Sequence, residues 1–338
     1  MAFNTPLTKS ENIVFGRGIL YIAPLDDNGV ALGERDMGEV PAFTLSMTST
    51  RVKIQSHRSG LGKTILDVVT SIDLAAKMDV LDMSKENQAV FFAGSVRTVT
   101  QASTPVVAER IFNLEANREY QLGTSGSNPT GVRGVGSVSV KVYELANAVA
   151  RANTTAYVVG DIFKSTTNVF LVTTAGTTAG SAPTFDTAAI GNPTTDGSAV
   201  VKYIGTTAAF TAGTDYVLNA ESARIGTKVG GAIALATALY TSVTGTKLSA
   251  SVDYTPAANS RDQVISSGAA ATKCQLRFIS DNATGDNRDL FIAACNVSPS
   301  GDNAFITDQD ASKFSLDIGV NEKNSSIPSI IIDGRAYT

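Results

Sequence analysis

From Phe43 to Leu81 the hydrophobic and polar positions form two long alternating stretches, joined by the polar turn Ser56-His57-Arg58-Ser59-Gly60-Leu61-Gly62-Lys63-Thr64. In the second stretch Leu66, Val68, Ile72, Leu74, Ala76, Met78 and Val80 take even positions, interrupted only by Thr70, while Asp67, Ser71, Asp73, Lys77 and Asp79 take odd ones. Period two marks a strand with one buried face. At about 3.3 Å per residue this strand reaches roughly 50 Å, far beyond the usual five or six residues, so it calls for a large sheet or a barrel. In the first stretch Phe43, Leu45 and Met47 are odd, whereas Val52 and Ile54 are even. That change of phase predicts a bulge or a face switch near Ser49.

Elsewhere the pattern is also mainly of strands. Residues 1–12 are polar and unpatterned, an arm that would order only against a partner. Ile19 to Leu25 reads as a strand turning at Asp26-Asp27-Asn28-Gly29 into Val30 to Leu32. Asp82 or Ser84 can cap a helix carrying Ala89, Val90, Phe91 and Phe92 and ending at Gly94. Val106 to Leu114 and Arg118 to Leu122 read as a hairpin turning at Ala116-Asn117, and Val135 to Val142 as a further strand. Between about Leu145 and Thr207 the composition shifts to Thr, Ala, Gly and Asn with short β signals, which predicts a small inserted β module. Strands resume at Tyr216 to Leu218, Leu248 to Tyr254, Lys273 to Ile279, Leu290 to Asn296 and Phe314 to Val320. Ile330-Ile331-Ile332 is placed to pair at a sheet edge or with a neighbouring subunit. The expected division is therefore 1–144, 145–207 and 208–338.

Composition narrows the function classes. Of 338 residues, 43% are hydrophobic and 17% charged, an ordinary globular balance, and the net charge of -4 argues against a nucleic-acid coat. Gly230 to Val243, the longest weakly apolar stretch, is too short for a membrane span, and Met1-Ala2-Phe3-Asn4 lacks the basic start of a signal peptide. A soluble protein made inside the cell is expected. Cys274 and Cys295 are read as buried small apolar residues in strands rather than as a disulfide. No catalytic, cofactor or metal site is expected. Gly60-Leu61-Gly62-Lys63-Thr64 ends like a phosphate-binding loop but lacks the earlier glycine, and a strand pattern follows where a helix is required. His57, the sole histidine, removes multi-histidine metal sites. Asp281 to Asp289 is rich in oxygen ligands without the spacing of a calcium loop and is read as a turn.

The order of elements resembles that of a known family. The strand at Gly18 to Leu25, the Asp-Asn-Gly turn, Met37-Gly38-Glu39-Val40, the long polar-looped hairpin and the helix ending Phe92-Ala93-Gly94 together resemble the major tail tube protein of tailed bacteriophages. Phe210 to Val217 and Ser249 to Thr255 look like strands common there. The resemblance implies a mainly β fold: a β-sandwich with a flanking helix, whose long hairpin joins those of neighbouring subunits in an inter-subunit β-barrel. It implies a structural virion protein, not an enzyme, that assembles with itself as hexameric rings stacked into a tail tube. Its implied partners are tape measure, tail terminator and distal tail proteins, with non-specific transit of viral DNA and no membrane. The implied location is the virion tail, after synthesis in the bacterial cytoplasm.

Carried onto this sequence, Ser56 to Thr64 becomes the inter-ring loop, and Asp67, Ser71, Asp73, Lys77 and Asp79 become the lumen-facing residues. An acidic wall would weaken adhesion of a sliding polyanion. The inserted module is similar to small β modules that decorate other phage tail proteins, and an outward position would favour a long, non-contractile tail. The alternative is an adhesin or glycan-binding module, with Tyr157, Phe170, Phe185 and Tyr203 as contacts, since sugar binding commonly uses exposed aromatic platforms.

Overall fold

Strand makes up 48% of the chain and helix 8%, against roughly 20–25% strand in an average soluble protein. The mainly β class expected from the period-two patterning is the class observed. The computed structural model describes residues 13–58, 60–268, 271–308 and 310–335. The expected N-terminal arm, 1–12, and Ser59 of the expected inter-ring loop lie outside them. The chain forms two compact units, Met1–Val99 with Asp262–Thr338, and Thr100–Arg261.

In the first unit the chain builds β1 (Gly18–Pro24), β2 (Arg35–Asp36), β3 (Ala42–Gln55), β4 (Thr64–Val80), helix α1 (Lys85–Phe91) and β5 (Ser95–Gln101). It returns through β19 (Asn259–Ile265), β20 (Thr272–Ser280), β21 (Arg288–Ser300), β22 (Phe314–Val320) and β23 (Ile330–Gly334). The main sheet runs β2-β1-β20-β21-β22-β4-β3, and β23 pairs with the first half of β21. All of its pairings are antiparallel. One face buries Leu20, Ile22, Met78, Leu276, Ile292 and Leu316 under α1, whose Phe91 ring meets Phe314 edge-on at 5.2 Å.

The local signals for α1 act as expected. The Ser84 side chain accepts from the Asn87 amide at 3.4 Å, and Ala93 takes a left-handed turn with φ 45°. Gly94 is then required for a close approach, because a Cβ there would lie 1.9 Å from the Ile265 carbonyl oxygen of β19. Cys274 and Cys295 face each other across β20 and β21, fully buried and reduced, with sulfurs 3.2 Å apart. The hydrogen bond from Cys274 and the burial of the site push the Cys295 thiol pKa up. One expected hairpin is different: Val30 to Leu32 makes only a bridge at Ala31, and the strand pairing with β1 is β2.

The second unit holds β6 (Val106–Ile111), β7 (Glu119–Gln121), β8 (Val135–Val142), the short helix α2 (Tyr143–Ala146) and β9 (Val149–Ala150). It continues with β10 (Ala156–Tyr157), β11 (Ile162–Ser165), β12 (Asn168–Thr174), β13 (Gly176–Thr177), β14 (Pro193–Asp196) and β15 (Ala199–Thr206). After β16 (Tyr216–Asn219), β17 (Arg224–Thr227) and helix α3 (Ala232–Thr244), it closes with β18 (Ala250–Pro256). Here the expected pairing of β6 with β7 does not form. β18 sits between β6 and β8, while β7 pairs with β17, so each strand finds a partner more than 100 residues away in sequence.

The compositional shift at 145 and 207 marks a five-stranded sheet, β14-β15-β12-β11-β9, inside this unit. One side of that sheet supplies Val169, Leu171 and Ile204 to the same core as Val140, Ile225, Ile233 and Val252. Its other side holds a separate cluster around Phe163 and Phe170. Helix α3 was expected only as a weakly apolar stretch. Its first amide, Ala232, donates to Asp215 Oδ1 at 2.8 Å, so its N-terminal cap comes from another element, and Gly245 ends it at φ 75°.

Candidate functional site

The β3 and β4 pair is the part of the first unit whose burial departs most from its sequence pattern. Every described residue from Thr44 to Gln55 and from Gly60 to Asp73 is exposed, and on β4 only Ala76, Met78 and Val80 are buried. The reason is the register. β22 pairs only with Ala75 to Val80, so among the described residues β4 beyond Ala75 has β3 as its sole neighbour and β3 is a sheet edge throughout. The expected buried face of Leu66 to Val80 is therefore buried within this chain only at its base.

The face itself is also divided. The pairing shifts between Thr50 and Arg51, passing over Thr70, and again between Ile54 and Gln55, passing over Ile65. A bulge or face switch was expected in β3 near Ser49; the apolar residues of β3 do change face there, but the bulge that accompanies the change lies on β4, with Thr70 and Ile65 as its extra residues. Side chains alternate along β3 without interruption, so Phe43, Leu45 and Met47 share a face with Arg51 and Lys53. On β4 their partners change from Met78, Ala76, Leu74 and Ile72 to Val69 and Asp67. Val52 and Ile54, paired with Val68 and Leu66, lie on the opposite face beside Thr48, Ser71, Asp73 and Lys77. Each face is thus apolar along one half of the ribbon and polar along the other.

This corrects the expected lumen set. Ser71, Asp73, Lys77 and Asp79 share one face, and the bulge carries Asp67 to the other. Asp67 also has a cation beside it, Arg51 at 3.2 Å, while Asp79 accepts from the Ser315 hydroxyl at 2.6 Å and lies 3.9 Å from Lys313. Lys77 reaches Asp317 at 3.6 Å, and among the described residues Asp73 has no ion pair. The far half of the ribbon carries Arg51, Lys53, Arg58 and Lys63 against Asp67 alone, so it is basic rather than acidic. In the turn, the Ser56 amide donates to the Lys63 carbonyl at 2.7 Å and the Arg58 amide to Ser56 Oγ at 3.3 Å. His57, Arg58, Gly60, Leu61, Gly62, Lys63 and Thr64 are exposed, and strand β4 starts directly at Thr64.

The four aromatic residues expected as glycan contacts come together, but as a core. Phe170 is 1% exposed and stacks on Phe185 with centroids 4.2 Å apart, while Phe163, a fifth ring outside the expected set, is fully buried between Tyr157 and Phe170. Tyr203 lies 5.9 Å from Phe170, and the Tyr157 hydroxyl accepts from the Ala152 amide at 3.0 Å. Phe170 is thus unavailable to a sugar, and the half-buried Tyr157, Phe185 and Tyr203 pack their rings against Phe163 or Phe170. Beside the same sheet lies a buried ion pair that no local sequence pattern marks. Arg151 Nε and Nη2 each donate to Asp196 at 2.6 Å, with side chains 4% and 0% exposed. Burial pushes the Asp196 carboxyl up, but the hydrogen bonds from Arg151 and the Ala179 amide, with the guanidinium charge, outweigh it and leave the pKa below its ordinary value.

Oxygen ligands of the Asp281 to Asp289 turn are engaged in holding the loop. Asn287 Oδ1 accepts from the Asn282 amide at 2.8 Å, and the Asp289 carboxylate takes the Ser280 amide and hydroxyl. Among the described residues no cluster of three or more metal-binding side chains occurs, and no helix is long and apolar enough to cross a membrane. What the exposed ribbon offers is two backbone edges unpaired among the described residues, together with apolar side chains, the chemistry of strand addition. No curated protein matches the chain. A family model described as "Protein of unknown function UCP028589" matches residues 13–126, a stretch that contains the whole ribbon and α1.

Proposed function

We propose that the protein is a structural subunit that assembles with copies of itself through the β3 and β4 ribbon, forming stacked hexameric rings of the bacteriophage tail tube kind, through which the viral genome passes. One observation supports this reading above the others: a ribbon some 50 Å long whose far half has no further strand beside it among the described residues. A two-stranded ribbon is marginally stable alone in water, and long free edges recruit further strands.

The apolar side chains point the same way. Leu45, Met47, Val52, Ile54, Leu66 and Ile72 are each at least 41% exposed. Full burial of such a side chain is worth about 1.5–3 kcal/mol, so six together are comparable with an association cost of about 4–15 kcal/mol. Because each face is apolar along only one half, a neighbour on one side would cover the base half and a neighbour on the other side the far half. Ring closure meets both needs with a single repeated contact. In such a ring Ser71, Asp73, Lys77 and Asp79 form the wall facing the lumen and Ser56 to Thr64 the contact between rings.

Negative-stain microscopy and native mass spectrometry of the purified full-length chain test the proposal. Closed rings and tubes are expected, and Ile72→Asp should abolish them while leaving a folded monomer. A wild-type chain that stays monomeric at high concentration overturns it.

A further inference from the structure

If copies stack, the turn of the ribbon must meet a definite surface on the next copy, and the strand register restricts where that surface lies. Val80, at the base of β4, is opposite Phe314, and Ser300 is opposite Ser315. The loop 301–313 between β21 and β22 therefore opens at the base of the ribbon. The turn lies at the other end of β4, about 50 Å away. A head-to-tail contact between identical copies joins these two ends.

The chemistry of the two ends is complementary. The turn carries Arg58 and Lys63 with no acidic residue between Ser56 and Thr64, and Leu61 at its tip is 81% exposed. The loop carries Asp302, Asp308 and Asp310, with no Lys or Arg before Lys313, which lies beside Asp79. Among the described residues, none of these three carboxylates has an ion pair or a side-chain hydrogen bond within the chain. Between them Phe305 and Ile306 are 71% and 94% exposed. Asn303, in the same loop, has both side-chain polar atoms shielded and without a hydrogen-bond partner, so the loop's own packing leaves its polar groups unsatisfied. The turn Asp26-Asp27-Asn28-Gly29 opens at the same end of the sheet, but Asp26 already accepts from the Asn28 and Val30 amides at 2.9 and 2.7 Å.

We propose that the turn of β3 and β4 docks on the β21 to β22 loop of a second copy of this chain, Arg58 and Lys63 meeting Asp302, Asp308 and Asp310 while Leu61 packs on Phe305 and Ile306. This rests on the tube reading above and identifies the surface that receives the turn. Opposite charges at this contact steer stacking and fix its direction, because tip against tip and loop against loop both repel. The pairs are near the surface, so stacking weakens as salt rises.

Charge exchange in the full-length protein tests the contact. Arg58→Asp with Lys63→Asp, and separately Asp302→Lys with Asp308→Lys and Asp310→Lys, should each leave closed rings but reduce stacked rings per particle at least tenfold in negative stain. Combining both sets should restore tubes, and Asp27→Lys should stack as wild type. Stacking by the loop variant, or failure of the combined variant to restore it, overturns the assignment. Should a variant misfold, Lys63→Cys with Asp308→Cys gives a second measure. Mild oxidation of its tubes should yield a ladder of covalent multimers, and tubes that give no ladder overturn the contact. A wild type that makes no rings removes the tube reading itself, whereas rings that stack regardless of these charges remove only this inference.

Discussion

The β3 and β4 ribbon and the five-stranded sheet of the second unit are both rich in apolar residues, yet they dispose of those residues in opposite ways. In the sheet, Phe163, Phe170, Val172 and Val201 are fully buried against one another, and the charge of Asp196 is matched by Arg151 beneath the surface. In the ribbon, Met47, Ile65 and Ile72 are exposed by 72%, 67% and 61%. The sheet completes its packing within one chain, and the ribbon does not. Hydrophobicity alone therefore does not say where a strand will be buried. The supply of neighbouring strands decides it.

This contrast is open to direct attack. Phe163→Ala should destabilise the second unit by about 3–5 kcal/mol, read by thermal or denaturant unfolding, because it opens a cavity in a closed cluster. Ile72→Asp should do the reverse, leaving unfolding of the monomer within about 0.5 kcal/mol of wild type while removing assembly. Equal effects of the two on monomer stability would erase the distinction between the regions.

Acid offers a milder probe. The folded pKa of Asp196 is depressed, so its contribution to stability is complete above the ordinary carboxylate value of about 4 and disappears as pH falls through the lower folded value. The second unit should lose stability in that window, and Asp196→Asn should flatten the dependence. The smallest expected effect is that of Ser84→Ala, about 1 kcal/mol on the first unit through the lost α1 cap. Assembly should be unaffected, since neither α1 nor its cap lies on the ribbon.

How far the sequence foretold these features depends on how local their causes are. The change of face was legible because apolar residues change parity between Met47 and Val52 within one strand. α1 was legible because its cap, its apolar face and Gly94 all lie within eleven residues. α3 was not, because its cap is Asp215 and its run of Ala and Thr has no charge to define a polar face. Alternation marked Asp67 and Asp73 as one face, but the extra residue at Thr70 shows only once the partner strand is counted against it. Exposure of Leu66 and Val68 had no local signal either, since it follows from β22 ending its pairing at Ala75.

The two cysteines have a consequence of a different kind. Cys274 and Cys295 sit at the middle of the main sheet with 0% and 1% exposure, on the central strands β20 and β21. A thiol-modifying reagent reaches them only when those strands part. Their labelling thus acts as a clock for sheet opening, governed by the open population when reclosing is fast and by the opening rate when labelling outruns it. In a polymer, heating and denaturants confound loss of assembly with loss of fold. This clock runs at ambient temperature, so in the proposed assembly any stability that a copy gained from its neighbours would be measurable without taking the particle apart.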